Sequence, residues 1–302
     1  MQKTTAPQTL FAQNLTERKT RKRAVHWQRL AGRLGLYVLV ISLGLLFVLP
    51  FLWMISTALK DDPQTYRIPP IWIPQPMFFS NFPEALQQQP FGRFFLNTLI
   101  YAIPSAIGSV ASAAVVAYGF ARIRWWSRDA LFFICLSTLM IPFQVTMIPL
   151  YIIFKNLGWL NSYKALVIPT FFGNAYFIFL LRQFFLTIPQ ELSDAARVDG
   201  CSEFGIFWQI ILPLAKPALA VVALFQFMGA WNDYLGPLIF LSKEELYPIS
   251  LGLEMFHSQF QEKLVWPYLM AASTVTILPV IIIFYFTQRV FVEGVTITGL
   301  KG

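Results

Sequence analysis

Long apolar runs alternate with shorter polar stretches along the whole chain. The runs lie at about residues 34–59, 94–120, 130–154, 165–186, 217–240 and 268–292. A hydrocarbon core of about 30 Å is crossed by roughly 20 helical residues, because each rises about 1.5 Å, so every run predicts one membrane span. Continuous apolar runs favour helices over a barrel, whose strands alternate polar and apolar positions. The pattern therefore predicts an all-α integral membrane protein of six transmembrane helices.

Between the fourth and fifth runs lies a charged island, from Pro189 to Pro213. Its pattern predicts two short amphipathic helices separated by Gly200, a rigid knob at the membrane surface for a soluble partner. Thr187 is the candidate N-cap and Pro189 suits a first turn, where its missing N–H has no intrahelical partner. The first helix is expected to reach Asp199. Spacing gathers Leu192, Ala195 and Ala196 on one face, which should pack, and leaves Glu191, Asp194 and Arg197 for the partner to read. Gly200 stands where a left-handed C-terminal turn favours glycine. Ser202 can cap the second helix, with Glu203 in its first turn and Phe204, Phe207, Trp208 and Ile211 as its apolar stripe. Leu212-Pro213 should end it.

Composition agrees with this class: 302 residues, 56% hydrophobic and only 13% charged. The net charge of +8 is unevenly placed. Lys3, Arg18, Lys19, Arg21, Lys22, Arg23, Arg29 and Arg33 lie before the first run, Arg122, Arg124, Arg128, Arg182, Arg197 and Lys216 around the connections after the second and fourth, and Arg289 and Lys301 near the end. With 16 of 23 basic residues on one side, the positive-inside rule puts both termini in the cytoplasm, and the charge reports topology rather than nucleic-acid binding. No cleavable signal peptide is expected, since the first 33 residues are polar and the first apolar run is long enough to span.

Candidate chemistry is sparse. Cys135 falls inside a span and Cys201 in the island, so a disulfide between them is not expected. His26 and His257 fall on opposite sides of the membrane, which leaves no metal-ligand cluster. The sequence carries no phosphate loop, nucleophile elbow or zinc-protease motif, so any uphill transport must draw on an ion gradient or a separate ATPase.

The second run is rich in small residues, among them Ala102, Ser105, Gly108, Ser109, Ala113 and Ala117, which predicts a central helix. Pro104, Pro142, Pro149, Pro169, Pro237 and Pro279 should break or kink spans, either to offer free carbonyls to a hydroxylated solute or simply for packing. Asp233 is a charge within a run, expected in the outer third of the bilayer. With Asn97, Gln144, Gln226 and Asn232 it is a candidate for a polar pathway; a fold-stabilising hydrogen-bond network is the alternative. Residues 60–93 hold seven prolines and predict an irregular extracytoplasmic segment, and residues 241–267 mix acids with aromatics. Trp125, Trp126, Trp159 and Trp266 suit interfacial anchors.

At the island the chain resembles the permease subunits of bacterial binding-protein-dependent ABC importers, whose mark is a Glu-Ala-Ala loop followed by Gly and then Ile-x-Leu-Pro. Asp194-Ala195-Ala196, Gly200 and Ile210-Ile211-Leu212-Pro213 stand at the matching positions, with Asp194 where the family usually has Glu. Asn97-Thr98-Leu99, the stretch from Ile141 to Leu150, Trp231-Asn232-Asp233 and the closing run from Val292 to Thr296 extend the likeness over residues 34–302, in the carbohydrate branch. The resemblance implies a type I importer permease fold in a bacterial inner membrane, non-catalytic itself. It implies partners: a homologous second permease, two ATPase subunits carrying ATP and Mg, and an extracytoplasmic solute-binding protein, with no cofactor in this chain. Glu191, Asp194, Ala195, Ala196, Arg197, Asp199 and Gly200 would form the ATPase-coupling contact, with Thr296 to Gly302 a weaker one. The implied organisation is a basic arm at 1–33, a permease domain at 34–292 with its coupling loop at 187–217, and a tail at 293–302. An ion-coupled secondary solute carrier is the alternative, although apart from Asp233 and Arg182 the runs lack the ionisable relay it needs.

Overall fold

The structure, a computed structural model, describes residues 7–259 and 266–299, with side chains described over 32–256 and 266–288. Among the described residues the regular structure is entirely helical. The principal helices are α1 (Pro7–Ala58), α2 (Asn81–Gln88), α3 (Phe91–Arg122), α4 (Arg128–Ser137), α5 (Phe143–Asn156), α6 (Ala175–Thr187), α7 (Gln190–Val198), α8 (Glu203–Leu214), α9 (Lys216–Trp231), α10 (Leu235–Phe240), α11 (Ile249–Gln259) and α12 (Trp266–Gly299). The side chains of His26, His257 and the 293–302 tail lie outside the described residues.

Four stretches are long and apolar enough to cross a membrane: Gly32–Ala58, Phe91–Arg122, Lys164–Thr187 and Trp266–Gln288. Six crossings result if each of two bent helix pairs makes one more. The third expected span is thus not one helix: α4 and α5 meet at 96°. Pro142 forces this, because Ile141 before it is extended (φ −86°, ψ 111°) and Pro142 itself sits at the start of α5. The fifth is shorter than expected, since α9 stops at Trp231 and α10 restarts at Leu235. Pro237 cannot donate to the carbonyl of Asp233, which instead accepts from Ser250 Oγ at 2.6 Å. In the fourth span a 3₁₀ turn, Ile168–Phe172, and the positive φ of Gly173 (88°) precede α6, which Asn174 caps at 2.9 Å from Tyr176 N. Pro169 falls in that turn, whereas Pro104, Pro149 and Pro279 lie inside continuous helices.

The small-residue helix is central, as expected. Ala102, Ser105, Gly108, Ser109, Ala113 and Ala117 are buried against neighbouring helices, while Leu96, Ile100, Ile103, Ile107 and Val115 point outward. A Cβ on Gly108 would come within 2.5 Å of Phe171, so the 3₁₀ turn lies directly on the α3 backbone. The half of the core beside the island joins Ala114, Ala117, Phe177, Leu181, Ile206, Ile211 and Val222, and the half at the other end of the bundle joins Phe91, Phe94, Trp231, Ile249, Phe256 and Ala271. By contrast α1 exposes Leu34, Val38, Ile41, Leu45 and Phe47, and over residues 32–50 it is exposed throughout, entering the core only at its end through Ser56, Thr57 and Ala58. Only lipid or another protein can cover that surface in a membrane.

Gly252 marks the tightest approach in the half away from the island, where an added Cβ would run into the Phe94 ring. Phe94 is fully buried and edge-packed on Phe91 at 5.9 Å, so it has no room to retreat. Gly252→Val is expected to lower the detergent melting temperature, at a cost of about 1–3 kcal/mol, and Phe94→Leu in the same chain should recover part of it. An unchanged melting temperature in the single variant would show that α11 does not press on α3.

Candidate functional site

The island folds as two helices, but not with the predicted faces. α7 starts after Pro189, which occupies the N-cap position without a side-chain cap bond. Thr187 ends α6 instead, its hydroxyl donating to the Phe184 carbonyl at 2.7 Å, so the expected cap is not formed. Ser193 is the fully buried residue of α7, and Ala196 and Arg197 are half-buried. Leu192, Ala195 and Val198 point outward with Glu191, Asp194, Asp199 and Gly200. Of the face expected to pack, Ala196 does lie against the core, whereas Leu192 and Ala195 are displayed, and Val198 beside them is 88% exposed.

The helix ends as predicted. Gly200 has φ +79°, Cys201 N–H donates to Ala196 O at 2.9 Å and Gly200 N–H to Arg197 O at 3.0 Å, the paired bonds of a Schellman turn. A Cβ on Gly200 would meet nothing within 4 Å among the described residues. The backbone conformation is thus what favours glycine within this chain, and a bulky side chain there would project into open space.

Ser202 caps α8, its Oγ accepting from Gly205 N at 3.2 Å. α8 then widens into a π-helical turn, Phe207–Ile211, before bending 78° into α9. The wide turn splits the predicted stripe: Phe207 and Ile211 are buried, whereas Phe204 and Trp208 stack on each other, centroids 6.3 Å apart, and are exposed. Cys135 and Cys201 are both free thiols.

What the sequence reading missed is how the island is held. Arg122, counted there only as a topology charge, is 6% exposed at the end of α3. Its guanidinium donates to the carbonyls of Phe185 (2.7 Å) and Ile188 (2.6 Å) and to Gln190 Oε1 (2.7 Å). One side chain thereby closes the end of α6 and fixes the start of α7. A turn earlier, Tyr118 donates to Glu203 Oε2 at 2.7 Å, Glu203 Oε1 accepts from Arg197 at 2.7 Å, and Arg197 reaches Asp194 at 2.7 Å. The Arg197 guanidinium, and after it the Tyr118 hydroxyl, hold the Glu203 carboxyl below the usual carboxylate range. Asp194 and Arg197 are thus tied into the island, while Leu192, Ala195 and Val198 remain unengaged on its surface. No local pattern marks Arg122, because its partners lie more than 60 residues away.

Among the described residues no hydrogen bond joins the pathway candidates to one another. Asn97 is buried and spends its amide on the carbonyls of Glu245 (2.8 Å) and Tyr247 (2.9 Å). Asp233 lies in the gap between α9 and α10, where its Oδ1 accepts from Gly236 N at 3.0 Å. Asn232 is exposed and donates to Met228 O at 2.8 Å. Gln144 is exposed and Gln226 half-buried, on α5 and α9 respectively. Among the described residues no group of His, Cys, Asp and Glu is arranged to hold a metal ion.

Arg122 provides a direct test of the clamp. Hydrogen bonds to a charged donor are worth about 1.5–3 kcal/mol. Arg122→Gln is therefore expected to speed amide hydrogen exchange across residues 190–200 by roughly tenfold or more. Unchanged exchange there would show that α7 does not depend on the guanidinium.

Residues 106–297 match the family described as the binding-protein-dependent transport system inner membrane component. The arabinooligosaccharides transport system permease protein AraQ of Bacillus subtilis is 32% identical over 89% of this chain and 96% of its own length. The sn-glycerol-3-phosphate transport system permease protein UgpE of Yersinia pestis is 31% identical over 85% and 94%. A chain in the crystal structure of a bacterial ABC transporter involved in the import of the acidic polysaccharide alginate superimposes with a TM-score of 0.73, at 26% identity over 86% of this chain and 96% of that one. Together with the helical bundle and its island, these likenesses set aside the ion-coupled carrier: the chain belongs to the family of multi-pass inner-membrane permease subunits of binding-protein-dependent sugar ABC importers, non-catalytic themselves.

Proposed function

We propose that this chain forms half of the translocation pathway of an ATP-driven importer for a small polar carbohydrate, and that α7 seats in a cleft of a separate ATPase subunit. The observation that carries this reading is the contrast between the two sides of α7. Ser193 and the Arg122 clamp lock one side to the bundle, while Leu192, Ala195, Val198, Asp199 and Gly200 are displayed on the other. A conformational change in a partner reaches the membrane only through a stiff contact whose interactions differ between two states. A helix anchored on one side and bare on the other supplies that contact.

In this reading both termini are cytoplasmic, following the basic residues. The arm (1–33), permease domain (34–292, coupling loop 187–217) and tail (293–302) keep the bounds set out from the sequence. A homologous second permease completes the pathway and covers exposed apolar surface. Two ATPase subunits carry ATP and Mg, and the segments 60–93 and 241–267 face an extracytoplasmic solute-binding protein. Relatives named for arabinooligosaccharides and sn-glycerol-3-phosphate support a hydroxylated cargo. Gln144, Gln226, Asn232 and Asp233 are the pathway candidates, and Asn97 serves as scaffold.

Affinity purification from the native host in mild detergent is expected to retain an ATPase and a homologous permease, identified by mass spectrometry. Recovery of the chain alone would count against the assembly. Gly200→Trp should leave membrane insertion intact while abolishing uptake and ATPase retention; persisting uptake would sink the docking role of α7. Asp233→Asn keeps the acceptor for Gly236 but removes the charge. A pathway role predicts slower transport or a raised KM for this variant and for Asn232→Ala, and normal kinetics in both would remove the pair from the pathway.

A further inference from the structure

Between the end of α3 and the start of α7 opens a cleft of about 540 Å³ walled by Arg122, Arg124 and Arg128. A second, of about 410 Å³, shares Arg122, Arg124 and Gln190 with it. The two are unequally compensated. In the second, Arg197 answers both Asp194 and Glu203 at 2.7 Å. In the first the carboxylate is Asp129, already bound by Arg128 at 2.9 Å and approached by Arg182 at 3.9 Å. Arg122 and Arg124 are left in excess. All three hydrogen bonds of Arg122 end on neutral oxygens, and its buried Nε has no partner among the described residues. Arg124 is exposed and makes no ion pair among the described residues.

The rest of the cleft wall indicates what neutralises them. Trp125 lines it, the neighbouring Trp126 is 99% exposed, and Leu186, 49% exposed, adds an apolar wall. Indole rings concentrate at the headgroup level of a bilayer, so the cleft opens where lipid phosphates lie. We propose that it binds the headgroup of an anionic phospholipid of the inner leaflet, the phosphate meeting Arg122 and Arg124 and an acyl chain following Trp125 and Leu186. Guanidinium groups match phosphate oxygens in charge and in planar geometry, and basic pockets between spans on the cytoplasmic side suit such headgroups. Because Arg122 also holds the start of α7, the lipid settles on the anchor of the docking helix. The inference rests on the orientation proposed above.

The test uses the full complex, reconstituted in vesicles of mixed phosphatidylglycerol and phosphatidylcholine, re-extracted and weighed by native mass spectrometry. The wild type is expected to retain phosphatidylglycerol in preference to phosphatidylcholine. Arg124→Gln, an exposed substitution, should lower that retention about fivefold, while Lys164→Gln at the start of the fourth span leaves it unchanged. Equal retention of the two lipids, or indifference to Arg124→Gln, overturns the proposal. So does a variant that keeps its phosphatidylglycerol but loses the ATPase, which would make an acidic protein side chain the occupant. Lipid retention is read separately from ATPase retention. A wild type that holds phosphatidylglycerol through Arg124 yet captures no ATPase would support the lipid site while refuting the docking role of α7.

Discussion

The island keeps its position because one buried guanidinium meets the carbonyls at the end of α6. A helix leaves its last carbonyls without intrahelical donors, and burying them unpaired costs about 1–3 kcal/mol each. Arg122, arriving from α3, donates to Phe185 and Ile188 and then to Gln190, so three chain segments meet at one side chain. The Tyr118–Glu203–Arg197–Asp194 chain of bonds adds the second helix of the island to the same junction. Movement of α7 without α3 would break charge-assisted bonds in a buried setting, where they are costly to lose.

The same helix reaches the other end of the molecule. There Asn97 donates to the carbonyls of Glu245 and Tyr247, Thr98 Oγ1 accepts from Ile249 N at 2.9 Å, and the Tyr101 hydroxyl donates to Ala230 O. Between the two ends, small residues let α6, α9 and the 3₁₀ turn lie close on the α3 backbone. α3 is thus held by polar contacts at both ends, and in its close-packed middle Ser112 also donates to the Thr170 carbonyl at 3.1 Å.

Interruptions gather in the helices around α3. The bend at Pro142, the 3₁₀ turn before Gly173 and the gap at Asp233 each free backbone groups that hydrocarbon would not solvate. Near two of them, side chains and neighbouring segments take up freed groups: Asn174 caps α6, the Asp233 carboxylate accepts from Gly236, and Ser250 donates to the Asp233 carbonyl. The breaks thus fall in the helices around α3, which itself runs uninterrupted from Phe91 to Arg122.

The sequence by itself determined the helical membrane class, the central place of the small-residue helix, the left-handed turn at Gly200 and the Ser202 cap. Each of these follows from local chemistry: apolar run length, side-chain size, a positive φ or a capping hydroxyl. Only the tertiary structure decided which face of α7 is bare, because Ser193 is buried by packing from elsewhere in the chain while Leu192 and Val198 are left outside. It likewise decided that Arg122 is a clamp and Asn97 a staple, since their partners are distant in sequence and no period or motif encodes a pairing of that separation. The apolar stripe of α8 was misread for a related reason: a fixed helical period holds only while the helix keeps its pitch, and the π turn at Phe207–Ile211 changes it.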